Sequence, residues 1–479
     1  MHLVGQNVID IRNPRTGEYD YQIVPISQED LVKRCIKMRE GQVSWQQLGV
    51  KGRIKVLEEW QTILRGAREE ILEAVTNDTG RNRESIREVD GIINWISRWS
   101  IIAEKEFAPV TQSTQIDFIK IESDYSPYSL VGIISPWNFP LSLSLMDAIP
   151  ALLAGCAVII KPSEVTPRFV EPVLNTIKQV PQLAEVLTYI LGAGETGAQL
   201  IEQVDMVCFT GSVATGRKVA VAGAKRFIPV FTELGGKDPA IVTETVDIER
   251  TASAILVGSV LGVGHQCYSL ERIYVQESIV DEFVATLTKK ASNLKLAYPT
   301  PTSGEIGPLI YAPQADIISR HLHDAVEKGA EIHCGGKIEE IGGGLWCRPT
   351  VITGVNHDMK IMTEETFGPI MAIMPYSDVA EAIRLANDSE FGLSAAVLAG
   401  TVEEALAIGR RIDAGGISIN DTGLAPFFIG TEGEVEKTAF KSSGLGGSRL
   451  GSASIKRFVR KKALIYNTTS ERSPWWYED

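Results

Sequence analysis

The residues of this chain whose types and spacing can do chemistry are a cysteine, two glutamates, a lysine and two glycine-rich turns. Cys267 stands in Gly264-His265-Gln266-Cys267-Tyr268-Ser269, after a long apolar helix-like run (252–263) and inside a glycine-containing loop. A thiolate there is a nucleophile, and His265, two residues away, is a candidate base for it. An inert buried thiol beside an incidental histidine fits the same residues. Glu233, in Thr232-Glu-Leu-Gly-Gly-Lys-Asp-Pro239, follows a strand-like run and precedes two glycines, so its carboxylate can face a cleft. Lys161 and Glu164, in Ile159-Ile-Lys-Pro-Ser-Glu164, stand at the end of another strand. In open α/β sheets ligands sit at that edge, so the pair reads either as a ribose holder or as a solvated strand end.

Two turns are candidates for phosphate. Gly192-Ala-Gly-Glu-Thr-Gly197 follows a strand and opens a helix, the setting of a dinucleotide fingerprint. No acidic residue ends a strand at the expected distance beyond it, and a plain tight turn explains it equally well. Phe209-Thr-Gly-Ser-Val-Ala-Thr-Gly216 also runs from strand into helix. Its small residues let backbone N–H groups and the helix dipole meet a phosphate, with a structural turn as the alternative.

The elements that must position these residues follow from periodicity. Ser27-Gln-Glu-Asp30 reads as a capping box opening a helix to about Arg39. Leu57, Trp60, Leu64, Ile71, Leu72 and Val75 keep helical spacing from Ile54 onward, and a further helix spans roughly Arg83 to Glu106. From 129 to 240 short Val/Ile-rich runs (130–135, 157–161, 187–191, 206–211) alternate with helical segments, which predicts a parallel sheet covered on both faces. A second α/β alternation runs from Asp247 to about Asn420. Residues 115–123 alternate like an exposed strand, and 463–466 reads as a strand that pairs with it in an arm outside the main domains.

With 479 residues the chain exceeds what one hydrophobic core supports, so two or three domains are expected. Its 44% apolar and 22% charged residues exclude disorder, collagen and a small disulfide scaffold. The net charge of -13, from 47 Lys+Arg against 60 Asp+Glu, disfavours a nucleic-acid partner or an anionic membrane surface. The longest nearly uncharged apolar stretch, 148–160, is too short to span a bilayer. The N-terminal residues carry neither a basic nor an apolar signal region. Six widely spaced cysteines without a CxxC pair read as reduced thiols, with no metal site and a cytoplasmic location expected. The basic run 456–462 reads as a solvated helix end, or else as a membrane-surface or anion contact.

Taken in order, PWNFP (136–140), IIKPSE, FTGSVATG, TELGGKDP, GHQCYS and EETFGPI (364–370) resemble the successive signatures of the NAD(P)-dependent aldehyde dehydrogenase superfamily, over about residues 30–465. The resemblance implies an α/β fold. A Rossmann-type dinucleotide domain would take 1–112 and 129–240, a catalytic domain 241–450, and a β-strand oligomerisation arm 113–128 and 460–479. It implies Cys267 as the nucleophile that forms a thioester, Glu233 as the base that activates water, and Asn138 as the oxyanion donor. Such a donor is worth roughly 3–4 kcal/mol. Cofactor contacts are implied at Ile134, Trp137, Lys161, Glu164, Gly211, Ser212, Gly216, Leu234, Glu365 and Phe367. Glu164 would repel a 2′-phosphate, favouring NAD over NADP, and FTGS displaces GAGETG as the phosphate loop.

The partners implied are a small aldehyde and a second copy of the chain, as homodimer or homotetramer. Three departures stand out. Asp147 occupies a position where the family often has lysine, Ser452 aligns where many members have glutamate, and the stretch 421–443 is longer than usual. Phe427 and Phe428 in that stretch, with Met146 and Tyr268, predict an apolar channel for a long or aromatic aldehyde. The alternatives are that these aromatics pack the loop or a subunit interface, or that succinic semialdehyde is held by Lys441 or Arg449. A CoA-acylating enzyme is disfavoured by Glu233, and a non-catalytic NAD-binding protein by the joint presence of Cys267, Asn138 and Glu233.

Overall fold

A computed structural model describes residues 8–108, 110–113, 118–425, 429 and 435–468. Strands Leu130–Ile134, Ala157–Lys161 and Met206–Thr210 are buried at every position. Their unbroken apolar runs are what a parallel sheet with two covered faces demands. They lie in a six-stranded sheet ordered Gly444–Leu445, Val230–Glu233, Met206–Thr210, Leu130–Ile134, Ala157–Lys161, Leu187–Tyr189. All its pairings are parallel except the one made by Gly444–Leu445. Helices carrying Trp45, Trp60 and Trp99 pack against this sheet, and the same core is closed by Ile455, Phe458 and Val459 near the far end of the chain.

A second sheet has seven strands, ordered Glu331–Cys334, Thr350–Thr353, Ile370–Tyr376, Leu270–Gln276, Asp238–Val242, Ser394–Leu398, Gly416–Ile419. Only its Glu331–Cys334 edge strand is antiparallel, and it has its own core between residues 240 and 414. The fold is therefore α/β with two mainly parallel sheets. A separate three-stranded sheet sets Ile119–Pro127 between Val110–Ser113 and Val459–Asn467. Ala463 opposes Ser123 and Tyr466 opposes Lys120, the pairing that the alternation predicts, although the strand runs on to Pro127.

Helix ends follow local chemistry. Ser27 Oγ accepts the Asp30 N–H at 3.1 Å, and the helix continues past Arg39 to Gln47. The continuous helical spacing from Ile54 to Val75 is two helices, Gly49–Gly66 and Arg68–Thr79, broken at Ala67 after a glycine. The basic run is not a solvated helix end. It crosses from the 3-10 turn Ser452–Phe458 into the strand Val459–Asn467. Arg457 is buried on Asp147, and Lys456 pairs with Glu106 at 2.7 Å. Carboxylates far away in sequence, invisible to a local reading, take up these cations. No helix among the described residues is long and apolar enough to cross a membrane.

Candidate active site

The six-stranded sheet hands the chain to the seven-stranded sheet through residues 234–237, and the candidate site is built around that crossing. Glu233 ends its strand between Thr210 on one side and Gly444 on the other. Leu234 N–H then donates to Ser443 O at 2.8 Å. Two glycines follow because there is no room for a side chain. A Cβ on Gly235 would lie 2.5 Å from the Glu365 carboxylate, and one on Gly236 would lie 2.5 Å from Cys267 O. Gly236 N–H donates to Glu365 Oε1 at 3.0 Å. The crossing thus brings Glu233, Cys267 and Glu365 to one place.

Cys267 is reached by a sharp turn. Helix Ile248–Val260 ends, and Gly262 and Val263 both take left-handed backbone with φ 62 and 64. A β-branched residue there is strained and must be held by its surroundings. The holder is Arg81, whose guanidinium donates to Gly262 O at 3.0 Å and also to Asn138 O. Glu84 adds an acceptor for Gly262 N–H at 3.3 Å. Asn138 is itself buried, and its Nδ2 donates to His265 O at 2.8 Å. Asn138, the turn before Cys267 and Arg81 therefore form one hydrogen-bonded unit, and Arg81 is a member that sequence reasoning did not find.

Burial pushes the half-buried Cys267 thiol up to about 12, and the Glu233 carboxylate adds to that shift; Lys437 opposes it. Hence Glu233 is electrostatically close to Cys267. His265 makes no hydrogen bond to Cys267. Its ring stacks on Phe367 at 5.6 Å and meets Trp137 edge-on at 5.0 Å. Neither ring nitrogen bonds to another described group, and burial, with the Arg81 charge, holds its pKa well below the usual value. A neutral histidine serves here as an aromatic wall.

The strand ends gather the expected cofactor residues. Lys161 Nζ donates to Glu164 Oε2 at 3.2 Å and to Pro162 O at 3.0 Å. Ser212 caps the fourteen-residue helix Val213–Arg226, its Oγ accepting Thr215 N–H at 3.3 Å. Gly211 N–H donates to Glu233 O at 3.2 Å. A Cβ on Gly216 would lie 2.4 Å from Leu234, so that helix packs directly on the crossing. The GAGETG turn also reaches this end: a Cβ on Gly197 would touch Lys161 and Ile134 at 3.6 and 3.7 Å.

Trp137 and Phe367 stand edge to face at 5.4 Å. Phe367, at φ 51, is fixed by Glu271, whose two oxygens accept the Thr366 and Phe367 N–H groups at 2.8 Å each. Glu271 pairs in turn with fully buried Lys237, a support absent from the sequence reading. Burial, with Glu271 nearby, raises the Glu365 carboxyl to about 8. A helix N-terminus, a lysine–glutamate pair at a strand end and an acid beside an aromatic cleft together fit a dinucleotide laid across the sheet.

The departures have structural answers. Asp147 accepts from Arg449 at 2.7 Å and from Arg457, and Arg449 also donates to Thr210 Oγ1 at 2.7 Å. Lys441 is held by Asn387 O, Ser389 O and Asp413. Both cations expected to clamp a substrate carboxylate are thus engaged elsewhere. Ser452 bonds to Glu106. Phe427 and Phe428 lie outside the described residues. Met146 and Tyr268 are half-buried, with the Tyr268 ring 3.7 Å from where a Gly423 Cβ would be.

The family model described as the aldehyde dehydrogenase family matches residues 3–464. A putative succinate-semialdehyde dehydrogenase [NADP(+)] of Mycolicibacterium smegmatis is 34% identical over 450 residues, 93% of this chain and 86% of that protein. Chloroplastic betaine aldehyde dehydrogenase of Beta vulgaris is 31% identical, covering 99% and 96% of the two chains. Among solved structures, the putative aldehyde dehydrogenase PutA from Anabaena variabilis superposes with a TM-score of 0.96 at 54% identity, covering 98% of this chain and 100% of that one. Betaine aldehyde dehydrogenase from Staphylococcus aureus in complex with NAD+ gives a TM-score of 0.90 at 29% identity, over 98% and 94%.

Proposed function

This chain belongs to the aldehyde dehydrogenase family and is an NAD(P)-dependent enzyme of that class; we propose that Cys267 is its nucleophile, Asn138 its oxyanion donor and Glu233 its general base. The thiolate of Cys267 attacks the aldehyde carbon, and the carbonyl oxygen becomes an anion. Asn138 Nδ2, held beside the Cys267 turn by His265 O at 2.8 Å, donates to that oxygen. A dinucleotide held there would supply the hydride acceptor. Collapse of the adduct leaves an acyl thioester on Cys267. Glu233 then takes a proton from water as the water attacks, and the carboxylic acid leaves with the thiol restored.

The observation that carries this reading is the shared clamp. Arg81 binds both the Asn138 carbonyl and the turn leading to Cys267, so donor and nucleophile are preorganised against each other. Lys161 and Glu164 would hold the adenosine ribose, with Glu164 favouring NAD over NADP. Gly211, Ser212 and Gly216 would face the pyrophosphate. Ile134, Trp137, Leu234, Glu365 and Phe367 would line the nicotinamide end. In this reading 1–112 with 129–240 binds the dinucleotide, 241–450 carries the catalytic cysteine, and 113–128 with 460–479 joins copies into a homodimer or homotetramer in the cytoplasm.

The test is NADH formation by wild type and Cys267→Ala across aliphatic, aromatic, polyene and carboxylate-bearing aldehydes, each with NAD and NADP. Turnover that needs Cys267 supports the reading. Equal turnover by the variant, or none by wild type on any aldehyde with NAD bound, overturns it.

A further inference from the structure

Thr366 lies between Glu365 and Phe367, and its N–H, carbonyl and hydroxyl are all taken by buried side chains from elsewhere in the chain. The N–H donates to Glu271 Oε2 at 2.8 Å, and the carbonyl accepts from Gln314 Nε2 at 2.7 Å. The hydroxyl meets Lys237 Nζ at 3.0 Å and His321 Nδ1 at 3.1 Å. Gln314 and His321 stand two turns apart on one face of the helix Pro313–Glu327. Ile318 on that face packs on the same segment, since a Cβ on Gly368 would lie 2.6 Å from its Cδ1. On its other side the segment abuts the turn that leads to Cys267: a Cβ on Gly264 would lie 2.2 Å from Gly368 O.

The chemistry of the partners assigns the hydrogens. An ammonium only donates, so Lys237 gives a hydrogen to Thr366 Oγ1. The exposed Glu364 carboxylate only accepts, so His321 Nε2, 3.3 Å from Glu364 Oε2, carries the imidazole hydrogen. Burial, with the Lys237 charge nearby, holds His321 below its usual pKa, so the ring is neutral and Nδ1 accepts the Thr366 hydroxyl. One directed chain thus runs from Lys237 through Thr366 and His321 to Glu364, and it fastens the residues on both sides of Glu365. Phe367 needs such a hold, because at φ 51 a bulky side chain is strained and stays only where its surroundings fix it.

We propose that His321 is a positioning residue for the nicotinamide half of the cofactor: through the Thr366 hydroxyl it keeps Glu365 and Phe367 set to receive the nicotinamide and its ribose. It acts through Thr366 and not by contact with the ligand. The proposal rests on the reading that Glu365 and Phe367 line the nicotinamide end.

Calorimetric binding of NAD and of ADP tests it, because ADP carries the adenosine and both phosphates but lacks the nicotinamide ribose and ring. His321→Leu removes both ring nitrogens, and Thr366→Val exchanges the hydroxyl for a methyl of similar volume. In each, the Kd for NAD should rise roughly threefold to tenfold, the scale of one lost hydrogen bond, while the Kd for ADP stays at the wild-type value. The KM for NAD should rise in parallel. His321→Asn, whose amide can take the Thr366 hydroxyl in place of Nδ1, and Thr366→Ser should both recover wild-type affinity. If His321→Leu does not fold, the Thr366 pair carries the test. An unchanged Kd for NAD overturns the proposal. So does an equal loss for NAD and ADP, since the damage would then be general, or a failure of both conservative variants to recover. Failure of the underlying reading looks different: Glu365→Gln and Phe367→Ala would bind NAD like wild type with His321 in place.

Discussion

Asp147 offers the sharpest quantitative test of how this site is held. Its carboxylate is 1% exposed and takes two guanidinium groups, Arg449 at 9% and Arg457 at 6% exposure. Asp147→Asn keeps the shape and removes the charge, leaving two buried cations facing each other. Breaking a buried pair from one side costs about 3–5 kcal/mol, and because asparagine retains one acceptor oxygen we expect the lower end, about 3 kcal/mol. Arg457→Met alone should also destabilise. The double variant should cost less than the sum of the singles by about 1–3 kcal/mol, because one fault removes the reason for the other. Urea unfolding followed by tryptophan fluorescence measures this, since Trp45, Trp60 and Trp99 lie in the core that Ile455 and Phe458 close. Asp147→Lys, which introduces the residue common in the family, would place three cations in one buried site and should abolish soluble expression. The reasoning is refuted if Asp147→Asn unfolds within about 0.5 kcal/mol of wild type, or if the two single effects simply add.

Glu233→Gln should keep a burst of one NADH per site while steady-state turnover falls roughly 10²–10⁴-fold, the range for a lost general base. The same change should speed iodoacetamide labelling of Cys267 at neutral pH, because the Glu233 charge adds to burial in raising that thiol. Glu164→Ser should raise the kcat/KM ratio of NADP over NAD by roughly tenfold or more, as a like-charge clash disappears. Glu365 gives a pH signature. Its carboxyl is raised to about 8 in the folded enzyme, so the stability it contributes is complete at low pH and is lost as pH climbs towards 8. Glu365→Gln imitates the protonated acid, so the Tm of the cofactor-free variant should match wild type near pH 5. It should then exceed wild type increasingly up to pH 8, by up to about 1 kcal/mol per pH unit, and stay level above it.

Much of this was legible because the buried parallel strands leave a continuous apolar signal. Residues 157–161 and 206–210 could hardly be anything else once turn residues bracketed them. Cys267, Glu233 and Asn138 were legible only as members of ordered motifs. Nothing in periodicity says that Asn138 and His265 will meet across 127 residues. His265 could be read either way for a physical reason: nearness in sequence to a thiol looks like a dyad, while the left-handed turn at Gly262–Gly264 turns its ring to Trp137 and Phe367. Arg81, Lys237 and Glu271 were missed because a buried cation and its acceptors are paired only by the tertiary fold. The basic run 456–462 was misread for the same cause, since its carboxylate Asp147 lies some three hundred residues earlier.

That last pairing also governs how the protein must be made on the ribosome. The core around the first sheet is written mostly in residues 31–234, yet its last pieces are the Gly444–Leu445 edge strand and the Ile455, Phe458 and Val459 plug. At about 5–20 residues per second, the stretch between Leu234 and Ile455 takes on the order of 10–40 s to appear. Throughout that interval the nascent first unit carries an open sheet edge, and Asp147 waits for both of its arginines. A premature stop before Ser452 would therefore leave a product that has Cys267 in place and its first core unplugged.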